Sequence, residues 1–288
     1  MKLVNPKRIL LYTIISVSIT ACNSEIQENH PESRPIQYLT FDTGDIPISY
    51  RKTGSGEPVI LLHGALIDAA SNWSLATDSL APFWEVVSLD LRGHGQSGKP
   101  RDPEAYGAEL YLDVLRLMDH LQIESAHLVG YSLGGQLALN IAVKHPDRVR
   151  SLTMGGAGWA PPDSMASGEA FAQALENSDS VADVLAPDSS TYPAEVRAVL
   201  DANDVVSSAA MARGPWHEIG IAAAELAALP ITIHVIVGEL DPIRPQIEQL
   251  QTVLPATTVE ILPALNHTTT FLSPDFAHAL VRRLRDVD

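Results

Sequence analysis

Gly130-Tyr131-Ser132-Leu133-Gly134 constrains this chain more than any other stretch, because an apolar run, Ala126 to Val129, leads into it and an amphipathic one, Leu133, Leu137 and Ile141, leads out. A strand that becomes a helix over so few residues needs a very tight turn. Glycines two residues to either side of the serine keep the two elements from colliding. The serine itself is held in a strained backbone conformation, with its hydroxyl projecting from the carboxyl edge of a sheet.

Similar apolar runs recur along the chain. Pro58 to Leu62, Val86 to Leu89, Val149 to Met154, Ile231 to Val237 and Val259 to Leu262 are continuous in the way expected of strands buried on both faces of a parallel sheet. Helical patterns separate most of them. Tyr106 to Leu121 is periodic, Leu133 to His145 stops before Pro146, and Pro245 to Leu254 and Pro274 to Leu284 begin with proline, the latter after a Ser273 N-cap. Ile36 to Phe41 and Ile48 to Arg51, separated by Gly44-Asp45, predict an antiparallel pair at the sheet edge. The alternation predicts an α/β fold, a doubly wound and mostly parallel sheet spanning residues 36–288. At 288 residues one domain with an insertion suffices. Residues 156–230 break the alternation. They are alanine-rich, punctuated by proline, and hold 11 acidic residues against Arg197 and Arg213, so they predict a helical cap over the site with a solvated acidic face.

Ligands of doubly wound sheets gather at the carboxyl ends of the strands. There the sequence carries His63-Gly64-Ala65, then Asp90-Leu91-Arg92-Gly93-His94-Gly95-Gln96-Ser97, the serine turn, Gly238-Glu239-Leu240-Asp241, and Asn266-His267. With these five motifs in this order, the chain from about Ile36 onward resembles the α/β-hydrolase superfamily. The resemblance implies a catalytic triad of Ser132, Asp241 and His267, with Glu239 as the competing acid. It also implies an oxyanion hole from the backbone N–H groups of Ala65 and Leu133. The residue types suit the chemistry: a serine hydroxyl needs a base, an imidazole can take and return its proton, and a carboxylate fixes the imidazole tautomer. His63 is expected to pin its loop, Arg92 to pair with a carboxylate, and His94 to stay outside the chemistry. Tyr131, Trp159, Met165, Phe171, Met211 and Trp216 are candidate pocket residues, bulky and apolar, although such side chains are more often core.

The first 21 residues differ in kind. Lys2, Lys7 and Arg8 precede an apolar run, Ile9 to Ile19, shorter than the roughly 20 residues a membrane span needs. Cys22, the one cysteine, follows Ala21. The segment resembles a bacterial lipoprotein signal, which implies export and a lipid on Cys22 that holds the protein to a membrane. Residues 22–35, polar and proline-bearing, read as a flexible tether. A formal charge of −16 with no basic stripe opposes nucleic acid as a partner. No residues have metal-ligand spacing and no phosphate-cradling glycine loop occurs, so no cofactor is expected.

The expected activity is hydrolysis of a small ester-like substrate with apolar acyl or alcohol groups through an acyl-enzyme. The resemblance leaves lactonase, thioesterase, proline-type aminopeptidase, carbon-carbon bond hydrolase and cofactor-free haloperoxidase activities open. From another class, a surface lipoprotein that binds a ligand without turnover remains a rival.

Overall fold

The computed structural model describes residues 37–162, 168–185 and 192–287. The signal-like segment, the tether, Cys22 and Met165 lie outside the described residues. Eight strands form one sheet: β1 (Leu39–Asp42), β2 (Pro47–Thr53), β3 (Pro58–Leu62), β4 (Glu85–Leu89), β5 (Ala126–Tyr131), β6 (Val149–Gly155), β7 (Ile233–Gly238) and β8 (Thr258–Leu262). Their spatial order is β1-β2-β4-β3-β5-β6-β7-β8. The β1–β2 and β2–β4 pairs are antiparallel and every other pair is parallel. Each strand deduced from an apolar run is present, and β5 and β7 are buried along their whole length, as two covered faces require.

The helices are α1 (Ala69–Leu80), α2 (Glu109–His120), α3 (Leu133–Lys144), α4 (Glu169–Glu176), α5 (Val181–Leu185), α6 (Ala194–Ala202), α7 (Val205–Ala212), α8 (Ala223–Ala227), α9 (Arg244–Val253), α10 (His267–Phe271) and α11 (Pro274–Arg285). Helix α1 packs against α11, and α2 packs against α3. Trp73 of α1 is fully buried and stacks on Phe276 of α11 at 6.2 Å, joining the two helices. Helices α4 to α8 fill the interval between β6 and β7, where the sequence broke its alternation. Outside that interval, two helices are not marked by the sequence patterns above. The first is α1, capped by Asp68, whose carboxylate accepts from the Ser71 N–H at 2.7 Å. The other is the five-residue α10, held by an Asn266 cap.

The chain leaves β3 toward β4 on one side and returns to β5 on the other, so the order reverses between β3 and β5. Leu62 is in register with Gly130, which aligns the ends of those two strands. The loop after β3 and the serine turn after β5 therefore emerge side by side at the crevice such sheets use for ligands.

One buried charge network ties the loop after β4 to α2. Arg92, with no exposed surface, donates Nε–H to Asp113 Oδ2 at 2.7 Å and Nη2–H to Asp113 Oδ1 at 2.8 Å, the carboxylate pairing expected from the sequence. It also donates to the Ala105 carbonyl. Removing one partner of such a pair leaves an uncompensated buried charge. Asp113→Ala is expected to lower the unfolding free energy by about 3 kcal/mol, read from urea denaturation. A loss within that of an ordinary surface substitution would show that the network is dispensable.

Candidate active site

Ser132 sits at φ 51° and ψ −115°, the left-handed region that side-chain-bearing residues avoid. Its neighbours explain how the turn is sustained. A Cβ on Gly130 would strike the carbonyl of Gly134, and one on Gly134 would strike the carbonyl of Leu62. The strained residue is tied down by its own backbone: the Ser132 N–H donates to the Gly155 carbonyl at 2.9 Å, and its carbonyl accepts from Gly135 and Gln136. The hydroxyl is thereby presented half-buried at the start of α3.

His267 Nε2 lies 3.1 Å from Ser132 Oγ, and its Nδ1 lies 2.9 Å and 3.1 Å from the two carboxylate oxygens of Asp241. A carboxylate only accepts, so these partners put the hydrogen on Nδ1 and leave the Nε2 lone pair facing the serine hydroxyl. Asp241 is 3% exposed, and its Oδ1 also accepts from the Ile243 N–H at 3.0 Å. Glu239, the alternative acid in the sequence, points elsewhere. It is exposed, and its carboxylate accepts from the N–H of Ala264 at 2.9 Å, bracing a residue held at φ 58° in the loop that delivers His267.

His267 opens α10, where Asn266 Oδ1 accepts from the N–H groups of Thr268 and Thr269. Tyr131 supports it from below. The Tyr131 hydroxyl donates to the His267 carbonyl, and its ring packs against His267, Phe271 and Phe276 at 5.2 to 5.6 Å. Burial raises the Tyr131 pKa, with the Asp241 charge adding to it, so the hydroxyl stays a neutral donor.

The loop after β3 is fixed by a reciprocal exchange between two buried histidines. His63 Nε2 accepts from the Leu91 N–H at 2.9 Å, and His94 Nε2 accepts from the Leu66 N–H at 2.9 Å. Each ring hands its Nδ1–H to a nearby carbonyl, Gly64 and Arg92 respectively. The rings meet edge to face at 5.0 Å. Three further ties hold the same loop: Gly64 N–H to Asn72 Oδ1, Ala69 N–H to Asp90 Oδ1, and Asn203 Nδ2 to the Leu66 carbonyl. Ala65 stands exposed within this frame, beside the cavity. Leu133 is half-buried at the first position of α3, where helix N–H groups have no intrahelical acceptor.

A cavity of about 110 Å³ opens onto Ser132 and His267. Of the six pocket residues named from the sequence, Tyr131 lines it. Four others lie elsewhere: Trp159 is buried with its indole N–H on the Ile221 carbonyl, Met211 and Phe171 pack on the core through the helix pair α7 and α4, and the Trp216 indole bonds to the Ala212 carbonyl. Trp159 and Met211 are buried, and Phe171 and Trp216 are half-buried against the core. The walls come from Ile67, Leu185, Tyr192, Val196 and Leu200 instead, with Asn72 and Phe271. The one sequence signal for them was the helical spacing of Val196 and Leu200. Among the described residues no group of three or more His, Cys, Asp or Glu is placed to hold a metal ion.

Residues 57–198 match the family model described as alpha/beta hydrolase fold. Two similar curated proteins are a 2-hydroxymuconate semialdehyde hydrolase from a Pseudomonas species, 36% identical over 138 residues, and a 2-hydroxy-6-oxo-6-phenylhexa-2,4-dienoate hydrolase from Comamonas testosteroni, 38% identical over 121 residues. The matches take in 46% and 41% of this chain and 48% and 42% of those proteins, so the chain spans less than half the length of either. Among solved structures, a thermophilic esterase from Thermogutta terrifontis superposes with a TM-score of 0.71 at 25% identity, over 87% of this chain and 99% of that one.

Burial pushes the His63 pKa from 6.5 down to about 4, and burial together with the nearby His63 pushes that of His94 to about 3. Below pH 6.5 the unfolded chain takes up protons that these folded rings refuse. Their contribution to stability is therefore complete above pH 6.5 and is lost as pH falls toward 4 and then 3, at about 1.4 kcal/mol per pH unit for each ring. His94→Gln, whose amide oxygen can still accept from Leu66, is expected to flatten the acid side of the stability profile by that slope. Denaturation midpoints between pH 4 and 6.5 that fall equally steeply in both proteins would remove His94 from this role.

Proposed function

We propose that this α/β-hydrolase-fold protein is a serine esterase that cleaves carboxylic esters of short, apolar acyl groups through an acyl-enzyme. The reading is carried by one observation: the continuous hydrogen-bonded line from Asp241 through His267 to Ser132 at the mouth of an apolar cavity. Ser132 Oγ attacks the ester carbonyl while His267 Nε2 takes its proton. The imidazolium that forms is stabilised by the buried Asp241 carboxylate. The Leu133 N–H, at the positive end of α3, and the Ala65 N–H receive the oxyanion. His267 returns the proton to the departing alcohol, and a water then repeats the sequence to free the acid.

The cavity favours small acyl groups, being smaller than the roughly 150 Å³ apolar cavity that admits a benzene ring. The Comamonas relative's name describes a dienoate, an anion. Among the described residues lining this cavity there is no lysine or arginine to receive a carboxylate, which favours the ester over the carbon-carbon substrate. The helices between β6 and β7 act as the cap, with Leu185, Val196 and Leu200 limiting acyl length.

A fluorophosphonate probe is expected to label the protein and to lose its target in Ser132→Ala. A folded wild type that resists labelling would favour a ligand-binding protein without turnover. Asp241→Asn is expected to lower kcat by up to about 10⁴-fold, while Glu239→Gln leaves it near wild type. A panel of p-nitrophenyl esters of rising chain length is expected to peak at short acyl groups, and preference for a prolyl arylamide or a dienoate would overturn the ester assignment.

The lipoprotein reading rests on Lys2, Lys7, Arg8, the apolar run and Cys22 alone. On that basis the enzyme is exported and tethered to a membrane through residues 22–35. Growth with an alkyne-tagged fatty acid is expected to label the protein, and Cys22→Ser is expected to abolish labelling and release it from the membrane fraction. A wild-type protein that remains unlabelled and soluble would overturn the anchor.

A further inference from the structure

Helix α6 meets the cavity and the loop after β3 at once. Its Val196 and Leu200 form part of the cavity wall, and the residue that ends it, Asn203, reaches the loop. One nitrogen makes the connection. Asn203 Nδ2 donates to the Val199 carbonyl at 3.0 Å, closing the open end of its own helix, and to the Leu66 carbonyl at 2.9 Å, 137 positions away. The other side chains that tie this loop, Asn72, His94 and Asp90, belong to α1 and to the loop after β4. Asn203 is the tie that comes from the cap.

The bond falls where the loop is strained. Leu66 is buried and held at φ 62°, in the left-handed region that a leucine avoids. Such a residue keeps its conformation only while its surroundings fix it. Here its two peptide groups are fixed by different parts of the molecule, the N–H by His94 Nε2 at 2.9 Å and the carbonyl by Asn203. Freed of the second bond, Leu66 can return to negative φ, and the peptide it shares with Ala65 turns with it. Ala65 carries the N–H that receives the oxyanion in the reading above. The aim of that donor therefore depends on a hydrogen bond from the same helix that walls the cavity.

We infer that Asn203 is a positioning residue, which latches cap helix α6 to the strained Leu66 so that the oxyanion donor is aligned only while the acyl wall is docked. The cap then governs the rate of the ester step as well as its acyl preference. This rests on the esterase reading for the role of Ala65. Asn203 is not among the residues lining the cavity, so it acts through Leu66 and Ala65 and adds no chemical step.

The test uses the full-length protein with Asn203→Ala, which removes the amide, and Asn203→Asp, which keeps its shape but offers the Leu66 carbonyl no hydrogen. Two inhibitors of the same chain length separate the oxyanion from the wall. Trifluoromethyl propyl ketone adds Ser132 Oγ at its carbonyl carbon, the proton passing to His267 and the negative charge to the ketone oxygen. Methyl propyl ketone fills the cavity without adding. In both variants kcat for p-nitrophenyl butanoate and inhibition by the trifluoromethyl ketone are expected to weaken about tenfold or more, while KM and inhibition by methyl propyl ketone stay within about twofold of wild type. A cap that is merely loosened would weaken both ketones equally, and that result, or an unchanged rate, overturns the inference and leaves the esterase reading standing. Hydrogen exchange of the Leu66 amide reads the latch without turnover. Faster exchange there in both variants, with the amides of β3 and α1 unchanged, supports the inference, and exchange at the wild-type rate or faster throughout the sheet overturns it. Should wild type neither cleave the ester nor prefer the trifluoromethyl ketone, the esterase reading fails, and the exchange result still decides whether Asn203 holds the loop.

Discussion

The close approach of α3 to strands β3 and β5, possible because Gly130 and Gly134 lack side chains, is the constraint on which the rest of the structure depends. It holds Ser132 at a positive φ and aims its hydroxyl across the end of the sheet. A methyl group at either glycine would meet a carbonyl oxygen, which cannot swing aside as a side chain could. The strain at residue 132 is thus over-determined by backbone on three sides, and the turn persists because nothing nearby can yield.

Around that point the molecule invests in rigidity. The histidines of the first two loops are neutral, buried and fully used as acceptors and donors of backbone hydrogen bonds, while His267 alone of the three opens onto the cavity. The same residue type therefore does two kinds of work, and burial divides them. His63 and His94 have pKa values pushed far below 6.5 by desolvation, which suits a fixed crosslink and disqualifies them from exchanging protons near neutrality. Tyr131 and Glu239 extend the same logic to the histidine loop: one braces the His267 carbonyl and the other the strained Ala264.

The parallel strands were legible because a doubly covered strand is apolar at every position, and β3, β5 and β7 are buried on both faces. The α1 helix was not, since Ser71, Asn72, Ser74, Thr77, Asp78 and Ser79 dilute its apolar periodicity, and its Asp68 cap is a side-chain bond rather than a pattern. The pocket was the least legible part. Trp159, Phe171, Met211 and Trp216 are large and apolar, which describes core as well as a binding wall, and packing among α4, α7 and the indole bonds turned them inward. The walls that replaced them are ordinary aliphatic residues whose only distinction is where their helices dock.

The sequence by itself determined the sheet, the strained serine turn and the short set of polar residues that emerge at the strand ends, because strand burial, backbone geometry and chain order are local or cumulative properties of the chain. Only the tertiary structure decided that Asp241 rather than Glu239 faces His267, that Ser132 lies within hydrogen-bonding distance of a ring 135 positions away, and that Val196 and Leu200 line the cavity. Those outcomes depend on the directions in which side chains from distant segments meet. Such directions are set by strand register and helix docking, and residue type does not encode them.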